Sequence, residues 1–170
     1  MFTSPIERAE APGVGDERTQ LNAYLDFQRA TSLHKMDGLG HDDLRRSVGP
    51  AGLTLLGLVK HLTLVEQWWF AINYLQTGEQ QIYQDDNDPD NDMKILAHET
   101  TDEIVTAYLA ACDRSRQIVA AAASLDERVP NKRRGEVDVR WIMLHVIEEY
   151  ARHNGHADII RELIDGATGI

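Results

Sequence analysis

One stretch, Arg140 to Gly166, restricts most severely what this chain can fold into. Its residues, RWIMLHVIEEYARHNGHADIIRELIDG, read as a single long helix. The apolar positions Ile142, Val146, Ile160 and Leu163 fall on one stripe, and Glu149, His153 and His156 continue that stripe through the middle. The series 142, 146, 149, 153, 156, 160, 163 alternates steps of four and three without a break. A carboxylate and two imidazoles therefore stand where the pattern asks for Leu or Ile. An unpaired charge buried there would cost several kcal/mol. A bound metal cation would offset that cost, and so would a buried hydrogen-bond network.

A second helix, about Thr54 to Tyr74, carries the stripe Leu58, His61, Val65, Trp68, Ile72, and His61 interrupts it near the centre. A first helix runs from about Asp16 to Met36, with Leu21, Tyr24, Leu25 and Gln28 on its inner face, and Gly38 and Gly40 end it. A third starts at the capping box Thr100-Thr101-Asp102-Glu103 and reaches about Ala123. Asp138 is the expected N-cap of the fourth helix and Gly166 its stop signal. Residues 1–15, rich in Pro, Gly and charge, are expected to form a loosely held arm, and residues 16–170 one domain. No strand shows convincing alternation, and Ser124 to Gly135 reads as a loop. Four amphipathic helices with one long polar crossover, Gln76 to Ala97, point to an all-α four-helix bundle.

The length of 170 residues suits one domain with a sizeable core. A net charge of −11 argues against nucleic acid and anionic membrane surfaces as partners. The single cysteine, Cys112, excludes an intrachain disulfide, reads as a small buried helix residue, and fits a cytoplasmic location. Residues 1–17 lack the basic start and apolar core of a signal peptide, and no apolar run approaches the roughly 20 residues that span a bilayer. The acidic run Asp85 to Asp92 has the spacing of a calcium loop, but counting from Asp86 puts Asn91 and Ala97 at the Gly and Glu positions, and counting from Asp88 gives Glu99 without the Gly, so it is expected to be a solvated loop. His34, His41 and His98 lie off the stripes and are expected at the surface.

Glu149 and His153 are one turn apart on one helix face, a spacing at which two side chains grip one metal ion. His156 lies on nearly the same stripe. A bundle brings positions such as His61 opposite them in its core. Two His and one Glu form a common catalytic-type donor set, with room left for water or substrate. The alternative, satisfied core histidines in a polar network, stays open on spacing alone. His145, one turn before Glu149, is an outer contact, a supporting partner or a core residue.

Two segments carry a resemblance. Leu55-Leu56-Gly57-Leu58-Val59-Lys60-His61-Leu62, followed by Glu66 and Trp68-Trp69-Phe70, is the first. Glu149-Tyr150-Ala151-Arg152-His153-Asn154-Gly155-His156-Ala157-Asp158 is the second. Together they resemble the DinB-like metalloenzyme superfamily of bacterial bundle proteins, and within it a largely actinobacterial subfamily. The resemblance runs from about residue 16 to the end of the chain. It implies an up-down-down-up bundle and a divalent metal held by His61, Glu149 and His153. Glu149 departs from the all-His pattern and is similar to the Glu-x-x-x-His pattern of mycothiol-dependent maleylpyruvate isomerase. The charge of Glu149 should harden the site and lower its Lewis acidity. His156 stands where a Gln is usual, so it is a fourth ligand, a group that orients water, or a proton shuttle.

Relatives with an assigned activity use a low-molecular-weight thiol such as mycothiol or bacillithiol. The resemblance therefore implies a metal-dependent thiol S-transferase or isomerase in detoxification, acting on a small thiol and an electrophile. Zinc is the first expectation for the metal, with Ni, Fe and Mn compatible with the donor set. His156 is the candidate catalytic residue, and Trp68, Trp69 and Tyr150 are candidates for lining a substrate pocket. A metal-dependent hydrolase and a metal-binding stress protein without turnover are the rival readings. The apolar face of such a bundle also suits a homodimer, which is common among similar proteins.

Overall fold

The computed structural model describes residues 1–169. Four long helices are placed by caps that satisfy their first backbone N–H groups. Helix α1 (Glu17–His34) starts where the Asp16 carboxylate accepts from the Thr19 N–H at 3.0 Å. A single helical turn, α2 (His41–Leu44), follows. Helix α3 (Leu55–Glu66) is capped by Thr54, whose hydroxyl accepts from the Gly57 N–H at 2.9 Å. Helix α4 (Thr101–Ala121) has the full reciprocal box between Thr100 and Glu103. Helix α5 (Val139–Asp165) begins at Asp138, which accepts from the Trp141 N–H at 2.7 Å, and ends at Gly166 in the left-handed conformation.

Contacts between helices fix the topology. Arg140 pairs with Glu17, Asn154 with Gln28, and Arg161 with the Lys35 carbonyl, so α1 and α5 run parallel. Glu66 meets Tyr150, and His61 meets His153, so α3 runs against α5. Glu99, just before α4, reaches Lys60, and Cys112 reaches Glu66, so α4 runs parallel to α3. The result is a four-helix bundle of up-down-down-up order, with the crossover returning the chain from the end of α3 to the start of α4.

The core is not purely apolar. Leu25, Leu33, Leu56, Leu62, Phe70, Ile142 and Val146 fill it together with Arg29, Glu66, Tyr108 and Tyr150, each at most 1% exposed. Arg29 donates to both carboxylate oxygens of Glu66, at 2.8 and 2.7 Å, and the Tyr150 hydroxyl donates to Glu66 at 2.8 Å. The Tyr108 hydroxyl donates to the Arg29 carbonyl at 2.9 Å. Asn154 bridges α5 to Gln28 and Ser32 of α1.

The structure departs from the sequence expectations in several of its elements. The buried stripe of α5 is Val139, Met143, Val146, Tyr150, Asn154, Ala157 and Arg161, together with Ile142 and Ile160; Leu163 is 59% exposed. A strict alternation of three and four averages 3.5 residues per turn and drifts off the core face of a straight helix, which needs 3.6. Tyr24, assigned to the inner face of α1, is 52% exposed.

Two short strands, β1 (Arg128–Asn131) and β2 (Gly135–Asp138), form an antiparallel hairpin that begins in the expected loop and runs past its end to the cap of α5, with Val129 opposite Val137. Four residues each, one of them Pro130, are too few to show alternation. Finally, α3 continues as a π-helical segment, Gln67–Tyr74. The wider turn shifts the inward face by a residue, so Trp69 and Phe70 turn to the bundle and Trp68 is left 36% exposed.

The amino-terminal segment is fastened to the turn after α1: the Phe2 N–H donates to the Leu39 carbonyl at 2.8 Å, and the Gly38 N–H to the Phe2 carbonyl at 2.9 Å.

Candidate metal centre

Helix α5 presents Glu149 and His153 one turn apart at the rim of its buried stripe, and α3 presents His61 opposite them. One donor atom from each lies within 4.8 Å of the other two, and all three residues are half-buried. The His61 and His153 rings meet edge to face with centroids 4.6 Å apart. Half-burial leaves one side of the triad open, as a site that keeps a coordination position free requires.

Two observations test whether these residues fit a divalent cation. The Nδ1 atom of His153 is buried and has no hydrogen-bond partner, while its Nε2 stands 3.7 Å from the Glu149 carboxylate. Neither ring nitrogen is committed to a protein group at hydrogen-bond distance. Burial, with lesser contributions from the neighbouring His61 and His156, holds the His153 ring down at about 4, so it stays neutral and offers a lone pair at neutral pH. The donor chemistry, two imidazoles and a carboxylate, is that of zinc and other borderline divalent ions. The residues fit.

Around the triad stand groups that spacing alone did not assign. The Nδ1 atom of His61 is 2.6 Å from a carboxylate oxygen of Asp92. Asp92 is only 8% exposed, so the acidic run is not uniformly solvated as expected. It belongs to a short 3-10 turn, Asn91–Met93, that packs on α3. Nothing in a run of seven Asp and Asn residues interrupted by one Pro singles out the member that turns inward. His145 lies with Nε2 3.5 Å from Glu149 and its Nδ1 3.2 Å from Glu148. Its ring stacks on Trp141 at 4.8 Å, and Trp69 closes the cluster edge-on at 4.6 Å.

The remaining sequence candidates are placed as follows. His156 is exposed, with its ring centroid 5.6 Å from that of His153, and is not among the three convergent donors. Tyr150 is fully buried with its hydroxyl committed to Glu66, so it faces the core network and not an open pocket. Trp68 is at the surface, and Trp69 takes the place beside the site. Cys112 is buried next to Glu66 and Tyr150, and burial followed by the Glu66 charge pushes its thiol up to about 12.

Among the described residues no helix is long and apolar enough to cross a membrane. Comparison with curated proteins gives no significant match. A crystal structure of a conserved protein from Enterococcus faecalis shares the fold, with a TM-score of 0.71 at 10% identity, covering 91% of this chain and 100% of that one. The profile of the mycothiol-S-transferase family matches residues 20–166, a span that contains His61, Asp92, Glu149 and His153. The chain therefore belongs to the mycothiol-S-transferase family, within the DinB-like superfamily that its two motifs resemble.

Proposed function

We propose that His61, Glu149 and His153 hold a divalent metal, zinc first among the candidates, and that the protein is a metal-dependent S-transferase joining a low-molecular-weight thiol to an electrophile. The observation that carries this reading is the convergence of three donors from two helices around an imidazole with no other partner. Membership of the family supports a thiol of the mycothiol type as the cosubstrate.

A divalent ion held there supplies a Lewis acid that favours thiolate over thiol at neutral pH. The chain's own residues do the rest. Glu149 and His153 hold their donor atoms in register through the rigid helix between them. The half-buried face admits the thiol and limits water. His156, exposed beside His153, accepts the proton that leaves the thiol and passes it to solvent. Trp69 and Trp141, with His145 between them and Glu149, form an aromatic wall on one side of the site.

The test is metal analysis of the purified protein with His61→Ala and His153→Ala beside it, followed by consumption of mycothiol with monochlorobimane. Stoichiometric metal and thiol-dependent turnover in the wild type, both lost in the variants, are the expected results. Negligible metal in the wild type, or metal content unchanged from the wild type in both variants, overturns the site. Turnover of ester or amide substrates without thiol would replace transfer by hydrolysis.

A further inference from the structure

We infer that Asp92, carried on the crossover between α3 and α4, is a positioning residue of the metal centre. It fixes the tautomer and orientation of His61 so that Nε2 of that ring faces the metal. The inference rests on the triad's being a metal site and adds to it a residue from a segment outside both motifs.

The geometry has three parts. The Asp92 carboxylate lies 2.6 Å from Nδ1 of His61 and is 8% exposed. A carboxylate accepts hydrogen bonds, so the proton of the neutral imidazole sits on Nδ1 and the lone pair on Nε2. Metal-binding histidines characteristically donate their other N–H to such a carboxylate, which orients the ring and raises its basicity.

The second part is how Asp92 is held. The Lys60 ammonium, on the residue before His61, is fully buried and donates to the carbonyls of Asn91 at 3.1 Å and Lys94 at 2.7 Å, on either side of Asp92. Glu99 neutralises that ammonium at 2.8 Å. One buried ammonium bonded to both carbonyls fixes residues 91–94 against α3. The third part is Gly57, one turn before His61. A Cβ at this position would collide with the Met93 carbonyl, so only glycine lets the crossover lie this close to α3. Gly57, Lys60 and His61 thus form one face of α3 that grips residues 91–94 and delivers a single carboxylate to a single imidazole.

The experiment compares wild type, Asp92→Asn and Asp92→Ala in two measurements. First, long-range 1H–15N spectra of the metal-free protein at pH 8 report which His61 nitrogen carries the proton. The wild type is expected to show Nδ1–H, and Asp92→Ala the Nε2–H form. Second, zinc affinity is read by competition with a chromophoric chelator, with circular dichroism as the check on folding. Asp92→Ala is expected to weaken zinc by roughly 10- to 100-fold. Asp92→Asn, which keeps an acceptor but no charge, is expected to fall between, with the cobalt-substituted spectrum nearer wild type. An Nε2–H tautomer in the wild type overturns the proposal, as does unchanged zinc affinity in Asp92→Ala beside a weakened His61→Ala. A wild type that binds no zinc removes the metal-site reading itself, and the tautomer measurement then still decides whether Asp92 sets the His61 ring.

Discussion

Arg29 and Glu66 form a two-point ion pair at the centre of the bundle, with N–O distances of 2.8 and 2.7 Å and both side chains at most 2% exposed. Burial alone would disfavour the guanidinium, and the facing carboxylate more than restores it, holding Arg29 well above its ordinary value. Removing Glu66 leaves the buried guanidinium with only the half-exposed Asp26 carboxylate, 2.8 Å from its other nitrogen, to offset its desolvation. Glu66→Ala is therefore expected to cost about 3–5 kcal/mol, whereas the double replacement Arg29→Met with Glu66→Leu is expected to recover most of that loss. Urea melts of the wild type and the two variants check this. A single variant within about 1 kcal/mol of wild type would show the pair to be dispensable.

Metal should stabilise the fold by mass action. The triad ties α3 to α5, and the unfolded chain has no preformed site, so binding free energy becomes folding free energy. At free zinc one hundred times its dissociation constant, the gain is about 2.7 kcal/mol, equivalent to a melting temperature raised by about 5–10 °C for a chain of this size. Differential scanning fluorimetry with and without zinc should show this increment in the wild type and its absence in His61→Ala and Glu149→Ala.

Much of this arrangement can be read from the chain, and the parts that cannot have physical reasons. The caps at Asp16, Thr100 and Asp138 are local chemistry, visible in three or four residues. The Glu149–His153 pair is likewise local, one turn of one helix. His61 was legible only as a polar break in an apolar stripe. Asp92 lies 31 residues from the ring it supports, and that pairing depends on how the crossover packs. The exchange of Trp68 for Trp69 depends on a π-helical turn that no periodicity announces. The core network was hidden for another reason. Tyr150 and Asn154 occupy the true buried stripe, whereas a rigid alternation of three and four points at their neighbours Glu149 and His153, so Tyr150 reads as a pocket-lining residue and Asn154 receives no role.

The pH dependence of the metal-free protein follows from His153. Its ring titrates at about 4 in the folded protein, against an ordinary value near 6.5 in the unfolded chain. Protonation therefore favours unfolding. The stability that the neutral ring allows is fully present above pH 6.5 and is lost as pH falls from there towards 4. Carboxylates held low by their partners, such as Asp16, Glu79 and Asp165, lose their contributions only below their unfolded values of 3.8 to 4.5. Urea midpoints at pH 7.5, 6.0 and 5.0 should thus fall in the wild type and fall less in His153→Gln. Equal slopes in the two proteins would assign the loss elsewhere.

Cys112 provides a test of the core that does not depend on metal. Its sulfur is 1% exposed at the residue level, 3.9 Å from a Glu66 oxygen and 3.8 Å from the Tyr150 hydroxyl. Burial and the Glu66 charge raise the thiol to about 12, so at pH 8 only about one molecule in ten thousand carries thiolate. Reaction with a disulfide reagent in the native protein should be slower than in urea by about a thousandfold or more. Glu66→Gln removes the repelling charge and loosens the packing around the sulfur, and both changes speed the reaction. Rapid labelling of the native wild type, at the rate of a free thiol, would mean that the sulfur is not enclosed between α3, α4 and α5 as this structure has it.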